Sequence, residues 1–242
     1  MAMQGCQMVT RTRTALGPAF ADLADDTEES VWGSSFHQDA IVDTYVSLKL
    51  HRRKHDLPWF IGNQTKLVIP HVAGPPYQPS PDLLIHPTLG TMGRTSLPIG
   101  RYGPPTLIIE VVSPSTGLSN DLNADGKLGA YAASGVPEYL VFDPFGDYIS
   151  DQVRAWKLGL TGAYVPWEPD VTDRWVSNLG ISFAPQGPKL RVYDGTGTLI
   201  PSYEDLAEER EQLLLDAARE RAEQDRQIAE LQEALRRLRG EA

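Results

Sequence analysis

Cysteine is almost missing: the 242 residues hold one, Cys6. A lone thiol makes neither an internal disulfide nor a thiolate metal cage, which excludes a disulfide-stapled secreted fold. Long apolar runs are missing as well. No stretch approaches the roughly 18 apolar residues of a membrane-crossing helix. The arginines of Met1–Thr14 are followed by no apolar stretch, so this end does not read as a secretory signal. Positive charge is in deficit, with 22 Lys and Arg against 32 Asp and Glu, a net charge of -10. The deficit is spread along the chain: residues 203–242 carry 12 acids and 7 bases, and the remainder 20 and 15. A surface coated for nonspecific nucleic-acid binding is therefore excluded, although a local basic patch is not. Among the five histidines one pair, His51 and His55, has His-x-x-x-His spacing, but with no thiolate partner zinc is a poor fit. A soluble, cytoplasmic protein is expected.

What is present divides into three parts. Residues 1–30 are polar and mixed and are expected to be poorly ordered. Residues 31–200 carry the material for a mixed α/β sheet domain. Gly33-Ser34-Ser35 reads as a helix start, and Ala40, Ile41, Tyr45, Leu48 and Leu50 give that helix an amphipathic stripe as far as Lys54. Strands are expected at Trp59-Phe60-Ile61 and Lys66-Leu67-Val68-Ile69, with Gly62-Asn63 as the turn between them. Further strands are expected at Asp82–Ile85, Leu107–Val112 and Glu138–Asp143, and near residues 151–158, 161–167 and 188–193. Residues 87–104 read as loop, and a helix is expected from about Asn120 to Ala133. Residues 203–240 differ in kind. Glu204–Arg239 contains no Pro or Gly and is rich in strong helix formers. Ile228, Leu231, Leu235 and Leu238 step by three, four and three. Carried backwards, this seam passes through Gln224, Arg221, Ala217 and Leu214, so only its last two heptads are fully apolar. A helix of this length would span about 55 Å. The helix reads either as a solvated single helix or as a dimer-forming coiled coil; a homodimer, through the core or through this helix, is expected, because an isolated helix is marginal without packing.

The chemistry concentrates in three segments: Pro81-Asp82-Leu83-Leu84-Ile85, Leu107-Ile108-Ile109-Glu110-Val111-Val112, and the helix that holds Lys127. A carboxylate inside an apolar strand is costly to desolvate unless it is paired or bound to metal. Asp82 alone reads equally as a turn cap or a strand end. Glu110 sits in a run typical of a strand buried on both faces and needs a partner, for which Lys127 offers a plain salt bridge. Together, two acids on neighbouring strands and a lysine on the next helix suit another task, gripping Mg²⁺ and hydrolysing a phosphodiester. Asp121 reads as a helix N-cap and Glu138 as structural. Tyr131, one turn after Lys127, either holds that lysine or simply packs. The run His51–His55 is the one strong local positive patch. Through Arg52, Arg53 and Lys54 it either contacts a nucleic-acid backbone or completes a solvated helix end.

Those three segments resemble the Uma-two family, restriction-endonuclease-like bacterial proteins of the PD-(D/E)xK nuclease superfamily. The likeness extends through Ser113-Pro114-Ser115-Thr116, Lys127-x-x-x-Tyr131 and Gly135-Val136-Pro137-Glu138-Tyr139 and covers roughly residues 30–195. It implies a restriction-endonuclease-like mixed central sheet flanked by helices. It also implies Mg²⁺ (or Mn²⁺) held by Asp82 and Glu110, with Lys127 stabilising charge or positioning water, and DNA as substrate. The superfamily lysine two residues after the acid is replaced here by Val112, so the resemblance moves that role to Lys127. A carbonyl of Val111 or Val112 would add a metal ligand. His37 matches a histidine of the family pattern and reads either as a site residue or as a solvent-facing one. The activity implied is a Mg²⁺-dependent endonuclease. The rival is a nuclease fold that no longer cuts and serves to bind or assemble.

Overall fold

The computed structural model describes residues 28–70, 76–113, 121–123 and 126–240, for 28–35 the backbone only. The expectation for the N-terminal segment therefore lies, up to residue 27, outside the described residues, and so do Pro114, Ser115 and Thr116. Helix α1 (Glu28–Lys54) begins earlier than the sequence suggested, running through Gly33-Ser34-Ser35. Its buried stripe is Ala40, Ile41, Asp43, Thr44, Ser47, Leu48 and His51, spaced as one helical face. The small hydroxyls are satisfied there and allow close approach. Thr44 Oγ1 donates to the Ala40 and Leu190 carbonyls, and Ser47 Oγ to those of Asp43 and Pro201.

The central sheet has six strands: β1 (Phe60–Asn63), β3 (Leu83–His86), β5 (Leu107–Val111), β6 (Glu138–Phe142), β7 (Val153–Leu158) and β8 (Tyr164–Pro166), in that spatial order. Only β5 and β6 run parallel; the other neighbours are antiparallel. Parallel neighbours require a crossover, and α3 (Lys127–Ala133) supplies it. Every residue of β5 and β6 is buried, as expected of strands covered on both faces. The stop of α3 is built by Gly135 at φ 77. The Val136 amide returns to the Tyr131 carbonyl and the Gly135 amide to that of Ala132, a Schellman closure that turns Gly-Val-Pro-Glu directly into β6.

A second sheet, β9 (Trp175–Val176), β10 (Ser182–Gln186), β11 (Lys189–Tyr193) and β12 (Leu199–Ile200), is antiparallel in the order β12-β11-β10-β9. It packs with α1 and one face of the central sheet into a single core. The other face holds a second core with Tyr131 and Tyr139 at its centre. Two expectations change. Gly62 and Asn63 belong to β1, and the chain turns at Gln64, whose φ is 48. A Cβ at Gly62 would meet Thr65 Oγ1 at 2.6 Å, which is why glycine is needed there. β1 then pairs with β3, while β2 (Lys66–Val68) pairs parallel with β4 (Ser96–Pro98). β4 and the short α2 (Ile99–Tyr102) lie within the stretch expected to be loop. No helix among the described residues is long and apolar enough to cross a membrane.

Helix α4 (Tyr203–Arg239), 37 residues, leaves the domain with no residue buried. Its start is firmly fixed. The Ser202 hydroxyl accepts from the Asp205 amide, and the Asp205 carboxylate accepts from the Ser202 amide at 2.7 Å, a capping box. The buried Arg191 guanidinium donates to both oxygens of Asp205, at 3.2 and 2.7 Å. Burial alone would raise the Asp205 carboxyl, but Arg191 and Ser202 outweigh it and hold it below the ordinary value. A depressed carboxylate stabilises the fold above its unfolded pKa, about 3.9, and loses that contribution as pH falls through the lower folded value. Asp205→Asn should therefore cost about 1–2 kcal/mol at pH 7, less than for a fully buried pair because Asp205 is partly exposed. The gap from wild type should close as pH drops below about 4. Urea unfolding at pH 7 and pH 3 measures both.

Candidate active site

The antiparallel register that sets Leu83 opposite Ile109 carries one step further to set Asp82 opposite Glu110. Side-chain alternation then chooses the face. Leu107, Ile109 and Val111 enter the core shared with α1, whereas Ile108 and Val112 enter the core beneath α3. Glu110 shares the latter parity. The two acids are locked by reciprocal links: the Val111 amide donates to Asp82 Oδ2 at 2.8 Å, and the Asp82 amide to Glu110 Oε2 at 3.4 Å.

α3 delivers the remaining groups onto this face. Lys127 Nζ lies 3.0 Å from Glu110 Oε2 and 2.8 Å from Asp121 Oδ1. The Tyr131 hydroxyl, one turn later on α3, donates to Glu110 Oε1 at 2.9 Å. From α1, His37 Nε2 comes within 3.7 Å of Asp82 Oδ1. The Glu110 side chain is 3% exposed, while those of Asp82 and Lys127 are 13% and 18% exposed, so the cluster opens to solvent on their side.

Burial pushes the Glu110 carboxyl up to about 8; Lys127 pulls against the rise, and Asp82 and Asp121 add to it. Burial likewise raises Asp82, opposed by the Val111 amide and His37. Burial acts to lower Lys127, but Glu110 and Asp121 outweigh it and hold the ammonium above its ordinary value. With Asp121 as a second anion at 2.8 Å, Lys127 stays charged even where Glu110 holds a proton. Burial and Glu110 keep the Tyr131 phenol protonated, so it remains a donor.

Three carboxylates thus face one ammonium. If all three ionise, two negative charges stand uncompensated in a place largely closed to water, and a divalent cation is the species that balances them. Among the described residues no three His, Cys, Asp or Glu side chains close into a cage. The donor set is two carboxylates with the other positions left for water or phosphate oxygens, the pattern that suits Mg²⁺.

The sequence-based candidates fall out unevenly. Asp82, Glu110, Lys127, Tyr131 and His37 converge. Val112 is a core residue whose amide donates to the Phe142 carbonyl at 2.7 Å. It shares Glu110's face, which α3 covers with Lys127. Asp121 is not the N-cap that the sequence suggested. α3 begins at Lys127 with Gly126 in the capping position and no side-chain cap, and the Asp121 carboxylate is engaged by Lys127. Glu138 is fully buried and satisfied by Ser177, the Asn178 amide and Lys157, a structural role. Arg52, Arg53 and Lys54 end α1, about 24 Å along the helix from His37, and Arg52 donates to the Trp59 carbonyl. The sequence did not single out Arg94 and Arg101, whose guanidinium carbons lie 4.6 and 5.1 Å from the Tyr102 ring centre. Tyr102 packs against the same core as Tyr131. Arg101 adjoins Tyr102 in the chain, whereas the fold brings Arg94 to the same ring, so no local signal marks the pair.

Lys127→Ala leaves Glu110 and Asp121 without a cation and should cost about 3 kcal/mol in the presence of EDTA. Glu110→Gln removes one of the crowded charges and should cost under about 1 kcal/mol, or stabilise. Equal large losses in equilibrium urea unfolding would reduce the cluster to a structural ion pair.

Residues 25–186 match the model of the Uma-two family, described as "Putative restriction endonuclease". No curated protein matches the chain. A crystal structure titled "a putative nuclease belonging to DUF820 from Anabaena variabilis ATCC 29413" is similar at 14% identity and a TM-score of 0.40, over 56% of this chain and 69% of that one.

Proposed function

The chain belongs to the Uma-two family, of restriction-endonuclease type, and on that premise we propose that it is a Mg²⁺- or Mn²⁺-dependent endonuclease hydrolysing phosphodiester bonds in DNA. The observation that carries this reading is the convergence of Asp82, Glu110 and Asp121 around the ammonium of Lys127, with His37 against Asp82. Asp82 and Glu110 would hold the ion, which supplies Lewis acidity toward phosphate and lowers the pKa of water. Lys127 presents its ammonium beside Glu110, where it meets the negative charge that develops on the phosphoryl oxygens. Asp121 and Tyr131 are positioning residues: Asp121 keeps Lys127 protonated and in place, and Tyr131 fixes Glu110. His37 stands at the open side of Asp82, within reach of an incoming phosphate. Arg94 and Arg101, with no carboxylate partner among the described residues, offer the backbone of a nucleic acid its contacts.

One observation favours the non-cutting rival. Lys127 is already spanned by two carboxylates, so its ammonium is less available to a phosphate. Thermal melting with Mn²⁺, followed by plasmid cleavage, separates the two readings. Wild type should rise by several degrees in saturating Mn²⁺, about 2.7 kcal/mol at a hundredfold excess over Kd. Asp82→Asn/Glu110→Gln should show no rise and no cleavage. No rise in wild type, with no cleavage of DNA, leaves the binding or assembly module.

Arg94→Ala/Arg101→Ala should weaken DNA binding about tenfold and flatten its salt dependence. Arg53→Glu/Lys54→Glu, at the far end of α1, should change it less than about threefold. Fluorescence anisotropy across a salt series reads both, and the reverse ranking would move the nucleic-acid path to the end of α1.

A further inference from the structure

We infer that α4 is the pairing surface of a homodimer in which two copies of the helix lie antiparallel. This stands apart from any reading of the acid cluster. Beyond its first turn the helix is solvent-exposed, and its apolar seam is bare: Leu214 is 62% exposed, Ile228 52%, Leu231 65% and Leu235 51%. A helix of 37 residues with no buried residue lacks the packing that normally stabilises helices in water, and an exposed apolar seam on it, interrupted only at Arg221 and Gln224, marks an interaction face. The family match stops at residue 186, so α4 is an addition to the matched region.

Charge selects a second copy as the occupant and sets its direction. Glu204–Asp225 holds nine acids and three arginines, whereas Arg226–Arg239 holds four arginines and two acids. An antiparallel partner brings the acidic half of one helix against the basic half of the other. The parallel, in-register arrangement is penalised three times. With Ile228 and Leu231 as a and d, it stacks Arg221 on its own copy, stacks Arg210 on its own copy, and puts Glu220 beside Asp225 of the partner subunit. One antiparallel register removes all three. It pairs Leu214 with Leu231 of the partner subunit and Ala217 with Ile228 of the partner subunit, a small residue against a large one. It also pairs Arg221 with Gln224 of the partner subunit, so the polar interruptions of the seam face each other near the two-fold axis. The same interruptions that weaken the seam in one direction become its register marks in the other.

The test uses the full chain with Cys6→Ser as background, carrying Leu214→Cys or Leu231→Cys. In the antiparallel register each single variant keeps its thiols about 26 Å apart, beyond disulfide reach, while a mixture of the two places them face to face. The expected result is a disulfide-linked dimer from the mixture, little from either variant alone, and a light-scattering mass twice the 26.7 kDa of the chain. Leu231→Glu/Leu235→Glu, on a face with nothing packed against it, should give a monomer with an unchanged melting temperature of the domain. Efficient cross-linking of each single variant with itself would overturn the antiparallel arrangement. A monomeric wild type, or a dimer that survives Leu231→Glu/Leu235→Glu, would overturn α4 as the pairing surface.

Discussion

An ionisable group at the centre of a strand covered on both faces has to be supplied with partners from outside that strand. Glu110 is such a group, and its surroundings are arranged around meeting it. β3 brings Asp82 to the opposite register position, so the two acids are joined amide to carboxylate across the ladder. α3 brings a phenol to one carboxylate oxygen and an ammonium to the other. The cluster gives Glu110 hydrogen-bond partners on both oxygens, yet Lys127 does not offset burial and the like charges of Asp82 and Asp121, and the carboxyl is pushed up to about 8. A purely structural site would be expected to close its charge as well as its hydrogen bonds; Glu138, held by Ser177, Asn178 and Lys157, does so within the same sheet.

The geometry depends on a single parallel strand pair. Because β5 and β6 run the same way, the chain between them must travel back along the sheet, and α3 is the return. Gly135 at φ 77 ends it abruptly, which fixes where α3 stops and hence where Lys127 and Tyr131 stand over β5. The face was set earlier, by alternation: Ile108 and Val112 lie on the side that α3 covers, and Glu110 shares their parity. The lysine therefore need not be on the strand. An amine rooted on α3 reaches Glu110 Oε2, while Val112 fills the core.

Much of this was legible in the chain. Unbroken apolar runs around Glu110 and in β6 announce strands buried on both faces, and the Lys-x-x-x-Tyr spacing announces two side chains on one helical face. What escaped left no distinctive local pattern. Asp121 looks like a cap because acids near helix starts usually are, and only the position of α3 reveals that it faces Lys127. Gly62-Asn63 looks like a turn because the residue that actually takes the left-handed conformation, Gln64, carries no glycine signal. The stripe of α1 is partly polar, through Thr44, Ser47 and His51, and carbonyls of a distant strand and loop, at Leu190 and Pro201, accept the hydroxyls of Thr44 and Ser47; hydrophobic spacing alone hides such a face. β9 and β12, two residues each, are too short to leave any periodic pattern.

The junction between domain and tail has a mechanical meaning. A flexible tether of 37 residues would sample separations around a root-mean-square of about 33 Å and would often bring its tip home. A helix pinned at its base by Ser202, Asp205 and Arg191 is instead a strut of about 55 Å. Whatever is held at its tip has almost no effective concentration at the acid cluster of the same chain. The tail can set distances between bodies, but it cannot hand a substrate back to the domain that bears it.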